Sequence, residues 1–152
     1  MAEERKAYGI LKLRETWVVS EATHASMVSN RSKDTRPEQA LRKALWADGL
    51  RGYRKNVSRL PGRPDVVYGR ARLAVFVHGC FWHGCPLCGR RRIPKTNRAY
   101  WEAKFAQNAE RDARNKAALE AAGYRVLVLW ECQLRGDGLR ECVRAVREAL
   151  GR

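Results

Sequence analysis

Residues 76–88 concentrate the side chains that could do metal or acid–base chemistry. This stretch reads Phe-Val-His-Gly-Cys-Phe-Trp-His-Gly-Cys-Pro-Leu-Cys and holds two of the three histidines and three of the five cysteines of the chain. Cys80, Cys85 and Cys88 follow the spacing C-x4-C-x2-C. Three thiolates this close cannot all pair in disulfides, but they can ligate one tetrahedral ion. The spacing therefore predicts a zinc knuckle, a short loop wrapped around zinc, that takes a fourth ligand from elsewhere.

Cys132 is the best candidate for that fourth ligand. It follows the apolar run 126–130, and a strand over this run can carry it back to the same end of the fold. Four cysteines would close the tetrahedral shell without an open position, which is typical of structural rather than catalytic zinc. The alternative is a set of free, reduced core cysteines, although isolated structural thiols rarely cluster at ligand spacing.

The charge of the chain points to a polyanionic partner. The 152 residues hold 31 Lys and Arg against 16 Asp and Glu, a formal net charge of +15. Such a field attracts nucleic acid, and the basic residues are interleaved with Trp, Tyr and Phe; a bias towards solubility is the alternative. No apolar run reaches membrane-spanning length and the N-terminus lacks the apolar core of a signal peptide. We therefore expect a cytoplasmic, reduced protein without a membrane partner.

The run Thr-Arg-Pro-Glu at 35–38 marks the start of a helix. It fits a capping box with proline in the first turn, ahead of an amphipathic pattern that predicts a helix over about 37–48, ended by Gly49. Helix capping alone is a sufficient reason for a glutamate at this position. Glu38 is therefore explained equally well by structure or by function.

A hairpin brings an acid and a histidine together. Segments 64–68 and 73–78 read as two buried strands joined by a glycine turn. Asp65 opens the first strand and His78 closes the second, so in an antiparallel pair the two meet at one edge of the sheet. With Glu38 nearby they could hold a divalent cation and its waters, although Asp65 taken alone could equally be a turn residue.

The rest of the pattern predicts an α/β fold, with a mixed central sheet flanked by helices. The further elements are an extended segment at 53–57, a long helix from Thr96 or Asn97 to Gly123, a buried strand at 124–130 and a last helix at 138–150. Cys142 belongs to the apolar stripe of the last helix and is expected in the core.

Two segments lie outside this pattern. Residues 1–26 are predicted to be an N-terminal arm, partly flexible and partly helical near 20–27, which leaves 27–152 as the folded domain. A basic loop follows the knuckle and carries the candidate DNA contacts Arg90, Arg91, Arg92 and Lys95.

Five blocks of sequence resemble the very-short-patch-repair (Vsr) mismatch endonucleases. In chain order they are Asp-Thr-Arg-Pro-Glu at 34–38, Leu-Pro-Gly-Arg-Pro-Asp at 60–65, Phe-Val-His-Gly-Cys-Phe-Trp-His at 76–83, Asn-x-Glu-Arg-Asp at 108–112 and Trp-Glu-Cys at 130–132. The resemblance runs from about Met27 to the end of the last helix and implies a restriction-endonuclease-like fold. It also implies an enzyme that nicks one strand beside a T:G mismatch left by deamination of 5-methylcytosine, and so starts very short patch repair.

The resemblance also assigns roles to the polar residues. Asp65 would bind the catalytic magnesium directly, with the main-chain carbonyl of Val77 as a second protein ligand. His83 would be the general base for the attacking water, its alternative being a further candidate zinc ligand. The residues that would hold metal-bound waters are Glu38, His78 and Asp112.

Aromatic side chains would supply the selectivity. Phe81, Trp82 and Trp101 match the residues that the family wedges into the base stack from the major groove, and Met27 matches one that enters from the opposite groove. A mismatched step costs less to unstack than a paired one, so flat side chains can convert that difference into selectivity. The competing interpretation of Trp101 and Phe105 is a contact between the helix and the sheet core, which we prefer for Phe105.

Two departures from the family and two rival functions stay open. Cys85 and Cys88 stand where the family commonly shows a histidine and a cysteine, and the stretch before Ser20 matches nothing in it. The rivals are a restriction-type or mobile-element endonuclease of the same fold and a non-catalytic, zinc-stabilised DNA-binding module. We expect a monomer that binds mismatched duplex DNA at the bacterial nucleoid, with room for contacts to other repair proteins.

Overall fold

The computed structural model describes residues 33–89 and 93–152; the predicted arm at 1–26 lies outside them. The helices are α1 (Arg36–Ala47), α2 (Cys80–His83), α3 (Arg98–Ala121) and α4 (Asp137–Ala149), and the strands are β1 (Arg54–Lys55), β2 (Val66–Tyr68), β3 (Leu73–His78) and β4 (Arg125–Trp130). A 3₁₀ turn at Glu131–Gln133 follows β4. None of the described helices combines the length and apolar character needed to cross a lipid bilayer.

The four strands form one mixed sheet in the order β1-β2-β3-β4. β2 and β3 are the predicted antiparallel hairpin, with Val66 opposite Val75. β1 extends this hairpin antiparallel, whereas β4 runs parallel to β3 and ends with Trp130 beside His78. The carboxyl ends of β3 and β4 therefore lie at the same edge of the sheet. The predicted α/β fold with a mixed central sheet is confirmed.

The side chains of β3 alternate between two helical layers. Leu73 and Val75 face α1 and α4, whereas Ala74 and Phe76 face α3. The α1 and α4 layer buries Leu41, Leu45, Leu50, Val66, Tyr68, Leu73, Val75, Leu129, Leu134, Cys142, Val143 and Val146. In the described part of the chain, the apolar cluster between α3 and the sheet buries only Ala74, Phe76 and Leu119, while Trp101 and Phe105 of α3 are buried against α2. The core is thus thick on one face of the sheet and thin on the other, and Cys142 lies in it as predicted.

The start of α1 is a variant of the predicted capping box. Thr35 Oγ1 accepts the main-chain N–H of Glu38 at 3.5 Å. The Glu38 carboxylate accepts the main-chain N–H of Asp34 at 2.7 Å and the Thr35 hydroxyl at 3.0 Å. It therefore reaches one residue further back than the N–H of the capping threonine. Gly49 follows the helix with a φ of +77°, as its predicted end requires.

One expectation for the second half of the chain is wrong. The strand predicted to be buried throughout forms, but Leu129 is its one buried residue. Val126 and Val128 instead line a cavity between the sheet and α3. The physical reason is that the middle of α3 turns polar side chains, such as Asp112, towards the sheet and cannot pack closely against it.

Candidate active site

A cavity of about 750 Å³ lies between α3 and the sheet, at the edge where β3 and β4 end. Its wall includes every residue that was expected to act in catalysis, together with Val77 and Trp82. The five catalytic candidates are Glu38 on α1, Asp65 before β2, His78 at the end of β3, His83 at the end of α2 and Asp112 on α3. Five separate elements thus deliver one polar side chain each to the same space.

Asp65 is held in place by the neighbouring strand. Its Oδ2 accepts the main-chain N–H of Val77 at 2.7 Å, so the residue continues the hairpin and is more than a turn residue. Burial, reinforced by the charge of Glu38, raises the pKa of Asp65 to about 7, although the Val77 N–H, Arg42 and His83 oppose this shift. A cation beside this carboxylate would offset the unfavourable burial of its charge.

Glu38 combines the two roles that its sequence position left open. Its oxygens cap α1, and the same carboxylate lines the cavity while only 5% of the residue is exposed. Glu38 and Asp65 therefore present two carboxylates to one space. Oxygen donors of this kind fit a hard divalent cation such as Mg²⁺.

A short hydrogen bond joins His83 to Asp112. Nδ1 of His83 lies 2.5 Å from Oδ2 of Asp112. Burial favours the neutral carboxyl, but the hydrogen bond and charge of His83 outweigh burial and lower the pKa of Asp112. An ionised carboxylate can only accept, so Nδ1 carries a proton, and in the neutral imidazole the lone pair is then on Nε2. This tautomer is the one that a general base needs.

The ring of His78 stacks on the ring of His83. Their centroids are 3.9 Å apart and their planes differ by 9°. Burial and the charge of His83 lower the pKa of His78 to about 4, so this imidazole is neutral at neutral pH. The donor atoms of His78, His83 and Asp112 all lie within 4.8 Å of one another. The donor atoms of this group are close enough together to bind one ion on one side of the cavity.

The second cluster consists of four cysteines and matches the predicted knuckle. Sγ atoms of Cys80, Cys85, Cys88 and Cys132 lie within 4.8 Å of one another. The sulfurs of Cys85 and Cys132 are 3.7 Å apart, far beyond a disulfide bond. Tetrahedral zinc with bonds of about 2.3 Å separates its sulfurs by about 3.8 Å. The donor set and its spacing therefore fit one zinc ion, and His83 faces away from it to Asp112.

Secondary structure explains why Cys132 reaches the knuckle. β4 runs parallel to β3, so the 3₁₀ turn after β4 lies beside the start of α2. The N–H of Cys132 donates to Sγ of Cys80 at 3.3 Å. Burial raises the pKa of Cys80 to about 12. A bound cation is what would allow such buried thiols to ionise.

An aromatic cluster borders the cavity at α2. Phe81 packs against Trp82, Trp101 and Phe105 with ring centroids 5.2 Å, 5.3 Å and 5.2 Å away. Trp101 and Phe105 are buried, with 8% and 5% exposed, whereas Phe81 and Trp82 are half-buried. The carbonyl of Trp82 accepts from the buried Asn108 amide at 2.9 Å. Trp101 therefore packs against α2 and Phe105, whereas the alternative to its wedge role was a contact with the sheet core. Trp82 is the wedge candidate that lines the cavity.

The cavity also has a polar rim that the sequence did not single out. The additional residues are Arg63, Arg111, Asn115, Lys116 and Glu131. Arg63 and Arg111 stand inside two of the recognised blocks, and the helical spacing of Asp112, Asn115 and Lys116 could have placed them on one face of α3. Glu131 could have been found from the parallel pairing of β3 and β4, which brings the residue after β4 to this edge.

The predicted DNA contacts outside the aromatic cluster are Met27, Arg90, Arg91, Arg92 and Lys95. Met27, Arg90, Arg91 and Arg92 lie outside the described residues. Lys95 is exposed and does not line the cavity. The DNA contacts of all five residues stay predictions.

Comparisons with known proteins agree on one family. The family model described as DNA mismatch endonuclease Vsr matches residues 18–88. The type II nicking enzyme V.NmeAIP of Neisseria meningitidis is 41% identical over 129 residues, 82% of this chain and 91% of that protein. V.XorIIP, a type II nicking enzyme of Xanthomonas oryzae pv. oryzae, is 48% identical over 111 residues, 73% of this chain and 80% of its own length. The DNA mismatch endonuclease Vsr of Escherichia coli is 42% identical over 105 residues, 69% of this chain and 66% of its own length.

Proposed function

The chain belongs to the Vsr family of DNA mismatch endonucleases, and from this membership we propose that it nicks one strand of duplex DNA at T:G mismatches with the help of Mg²⁺. The observation that carries the proposal is that two carboxylates, an imidazole oriented by Asp112 and the half-buried Trp82 line the same cavity. Membership makes the chain a DNA endonuclease of restriction-endonuclease-like fold; the mismatch and the metal are the proposal.

Two carboxylates are proposed to hold the cation. Asp65 is its direct ligand, with the main-chain carbonyl of Val77, and Glu38 orients water beside it. When bound, the cation supplies positive charge to the phosphoryl oxygens, where negative charge accumulates during hydrolysis. The carboxylates of Asp65 and Glu38 face the same cavity, and the Val77 N–H holds Oδ2 of Asp65 in place.

His83 is proposed to remove the proton from the attacking water. In the neutral ring the lone pair is on Nε2, because Nδ1–H donates to Asp112. Asp112 thus acts on the base, orienting the ring and stabilising it once it is protonated, which differs from the water-holding role that the resemblance implied. His78, neutral and stacked on His83, keeps the ring from rotating.

Duplex DNA is proposed to bind over the open side of the cavity. Arg63, Arg111 and Lys116 on the rim supply positive charge for the phosphates around the scissile bond. Phe81 and Trp82 stand next to this rim, so they can stack on bases at a weakened step. Selectivity for T:G then comes from the aromatic side chains, and affinity from the basic rim.

The four-cysteine cluster is proposed to hold one structural zinc. It ties α2 to the turn after β4, which fixes both His83 and Glu131 at the cavity edge. We further propose that the enzyme works as a monomer in the bacterial cytoplasm, at the nucleoid. Contacts with other repair proteins would use surfaces outside this cavity.

Two rival functions are distinguished by cleavage products. Relatives named as type II nicking enzymes support cutting of one strand, and a carboxylate pair beside an oriented histidine has no use in a pure binding module. The test uses duplexes labelled on each strand in turn, carrying T:G, T:A or C:G at one position. Nicking of the T-containing strand at T:G alone supports the proposal. Equal cutting of matched DNA, or cutting of both strands, favours the restriction-type rival.

A further inference from the structure

A network of polar side chains lies behind the Glu38 carboxylate. Nη2 of Arg42 donates to Oδ1 of Asp34 at 2.7 Å, and Nδ2 of Asn56 donates to the same oxygen at 3.1 Å. The N–H of Asp34 in turn donates to Glu38 at 2.7 Å. Asp34 therefore binds a helix residue and a residue next to β1 through its carboxylate, and the cap of α1 through its main-chain N–H.

The same network reaches the proposed metal ligand. The main-chain N–H of Asn56 donates to the carbonyl of Asp65 at 3.2 Å. Asn56 thus contacts Asp65 through its main chain and Asp34 through its side chain. A continuous path of hydrogen bonds runs from Asp65 through Asn56 and Asp34 to Glu38.

The backbone at Asp34 is strained in a way that the network offsets. Its φ is +54°, in the left-handed region that residues other than glycine rarely occupy. The carbonyl of Asp34 accepts from Gln39 at 2.8 Å in addition to the contacts of its N–H and carboxylate. Hydrogen bonds to the N–H, the carbonyl and the carboxylate of Asp34 therefore hold the residue in this strained conformation.

Arg42 supplies the cation of the network. Its side chain is 11% exposed, and Nη1 lies 3.6 Å from Oε2 of Glu38. Within the described residues, Nη1 is buried without a hydrogen-bond partner. Buried donors are seldom left unpaired, so this position of Nη1 needs an explanation. The hydrogen bond from Nη2 to Asp34 and the charge of Glu38 hold the guanidinium there.

We propose that Arg42 is a positioning residue for the cation site, which fixes the Glu38 carboxylate relative to Asp65 through Asp34 and Asn56. This inference rests on the proposed cation-dependent function. Arg42 does not line the cavity, so its effect passes through the carboxylates that do. Partners that orient metal-binding groups in this way typically change affinity by about 10- to 100-fold when removed.

The sign of the effect separates positioning from simple charge repulsion. Removing a positive charge close to a cation site reduces repulsion, so by electrostatics alone Arg42→Met should tighten cation binding. A positioning role predicts the opposite, because Glu38 loses the group that orients it. Lys43 provides the matched control: it is the next residue on α1, carries the same charge and is exposed.

Mn²⁺ binding to the zinc-loaded chain, read by electron paramagnetic resonance without DNA, tests the inference. Binding that is present in the wild type and lost in Asp65→Asn defines the cavity site. We expect Arg42→Met to bind Mn²⁺ about 10-fold or more weakly, Arg42→Lys to recover part of the loss, and Lys43→Met to match the wild type. Equal or tighter binding by Arg42→Met would overturn the inference and leave the proposed function standing.

Two further outcomes are also decisive. A wild type without Asp65-dependent Mn²⁺ binding overturns the proposed cation site, and the inference with it. If Arg42→Met does not fold, Asn56→Gly replaces it, since glycine accepts the φ of +49° at this position and the side-chain donor to Asp34 is lost without a change of charge. Weaker Mn²⁺ binding by folded Asn56→Gly supports the inference, and unchanged binding overturns it.

Discussion

The cysteine cluster and the cavity are built from the same segments yet suit different ions. Cys80 and His83 begin and end α2, and Glu131 and Cys132 are neighbours after β4, but one member of each pair joins the cluster and the other lines the cavity. The cluster offers only sulfur within 4.8 Å and leaves no open position. The cavity offers carboxylates and imidazoles around about 750 Å³ of space. A closed sulfur site stabilises a fold, whereas an open oxygen and nitrogen site can admit a substrate.

The largest expected effect is the loss of folding when the closed site is broken. Cys132→Ser should lose zinc and unfold well below the wild-type melting temperature, because structural zinc contributes on the order of 10 kcal/mol in small zinc domains. Cys142→Ser is the control, since Cys142 is buried outside the cluster. Zinc content and thermal unfolding measure both variants. A purified wild type that is zinc-free and melts normally would contradict the structural role.

The next effect separates the open site from the closed one. Asp65→Asn should keep its zinc, fold and duplex binding but lose nicking by about 10³-fold or more, because a cation contributes several kcal/mol to charge stabilisation. Asp137→Asn serves as control, since Asp137 is exposed at the start of α4 and does not line the cavity. Single-turnover nicking with zinc content measured on the same samples gives the result. Loss of zinc in Asp65→Asn would mean that the two sites are not independent.

A third prediction concerns the proton path inside the cavity. His83→Ala should slow nicking by about 10²- to 10⁴-fold, the usual contribution of a general base. Asp112→Asn should lower the nicking rate by a smaller factor. Its amide can donate to Nδ1 of His83, which shifts the ring proton to Nε2 and removes the base from part of the population. Extra Mg²⁺ should rescue neither variant. Release of zinc by His83→Ala would instead identify His83 as a ligand of the cluster.

The smallest effect is expected at the aromatic edge of the cavity. Trp82→Ala should lower nicking at T:G by about 10- to 100-fold, since stacking on one base is worth about 1–3 kcal/mol. Nonspecific, salt-sensitive binding should barely change, because it depends on phosphate contacts. Trp46→Ala is the matched control: Trp46 is 55% exposed and outside the cavity. An equal loss of T:G nicking and nonspecific binding would argue against a wedge.

The sequence predicted the parts of the site that depend on local rules. Cysteine spacing indicated the knuckle, a capping pattern located α1 and Glu38, and hairpin geometry placed Asp65 and His78 at one edge. The pairing of His83 with Asp112 was out of reach, because the two residues are 29 positions apart in the chain and meet only through the way α3 lies over the sheet. The same holds for β4: its apolar run predicts a strand, but only packing decides that Val126 and Val128 face a cavity. Arg42 is likewise ordinary in sequence and gains its role from tertiary contacts.

We propose that the closed site holds the fold while the open site cuts one strand at a mismatch. The most direct measurement is single-turnover nicking by zinc-loaded, magnesium-free protein on strand-labelled T:G and T:A duplexes, before and after addition of Mg²⁺. We expect a folded protein with one zinc per chain that is inactive until Mg²⁺ is added and then nicks only the T-containing strand of T:G. Full nicking without Mg²⁺, or equal nicking of T:A, would contradict it.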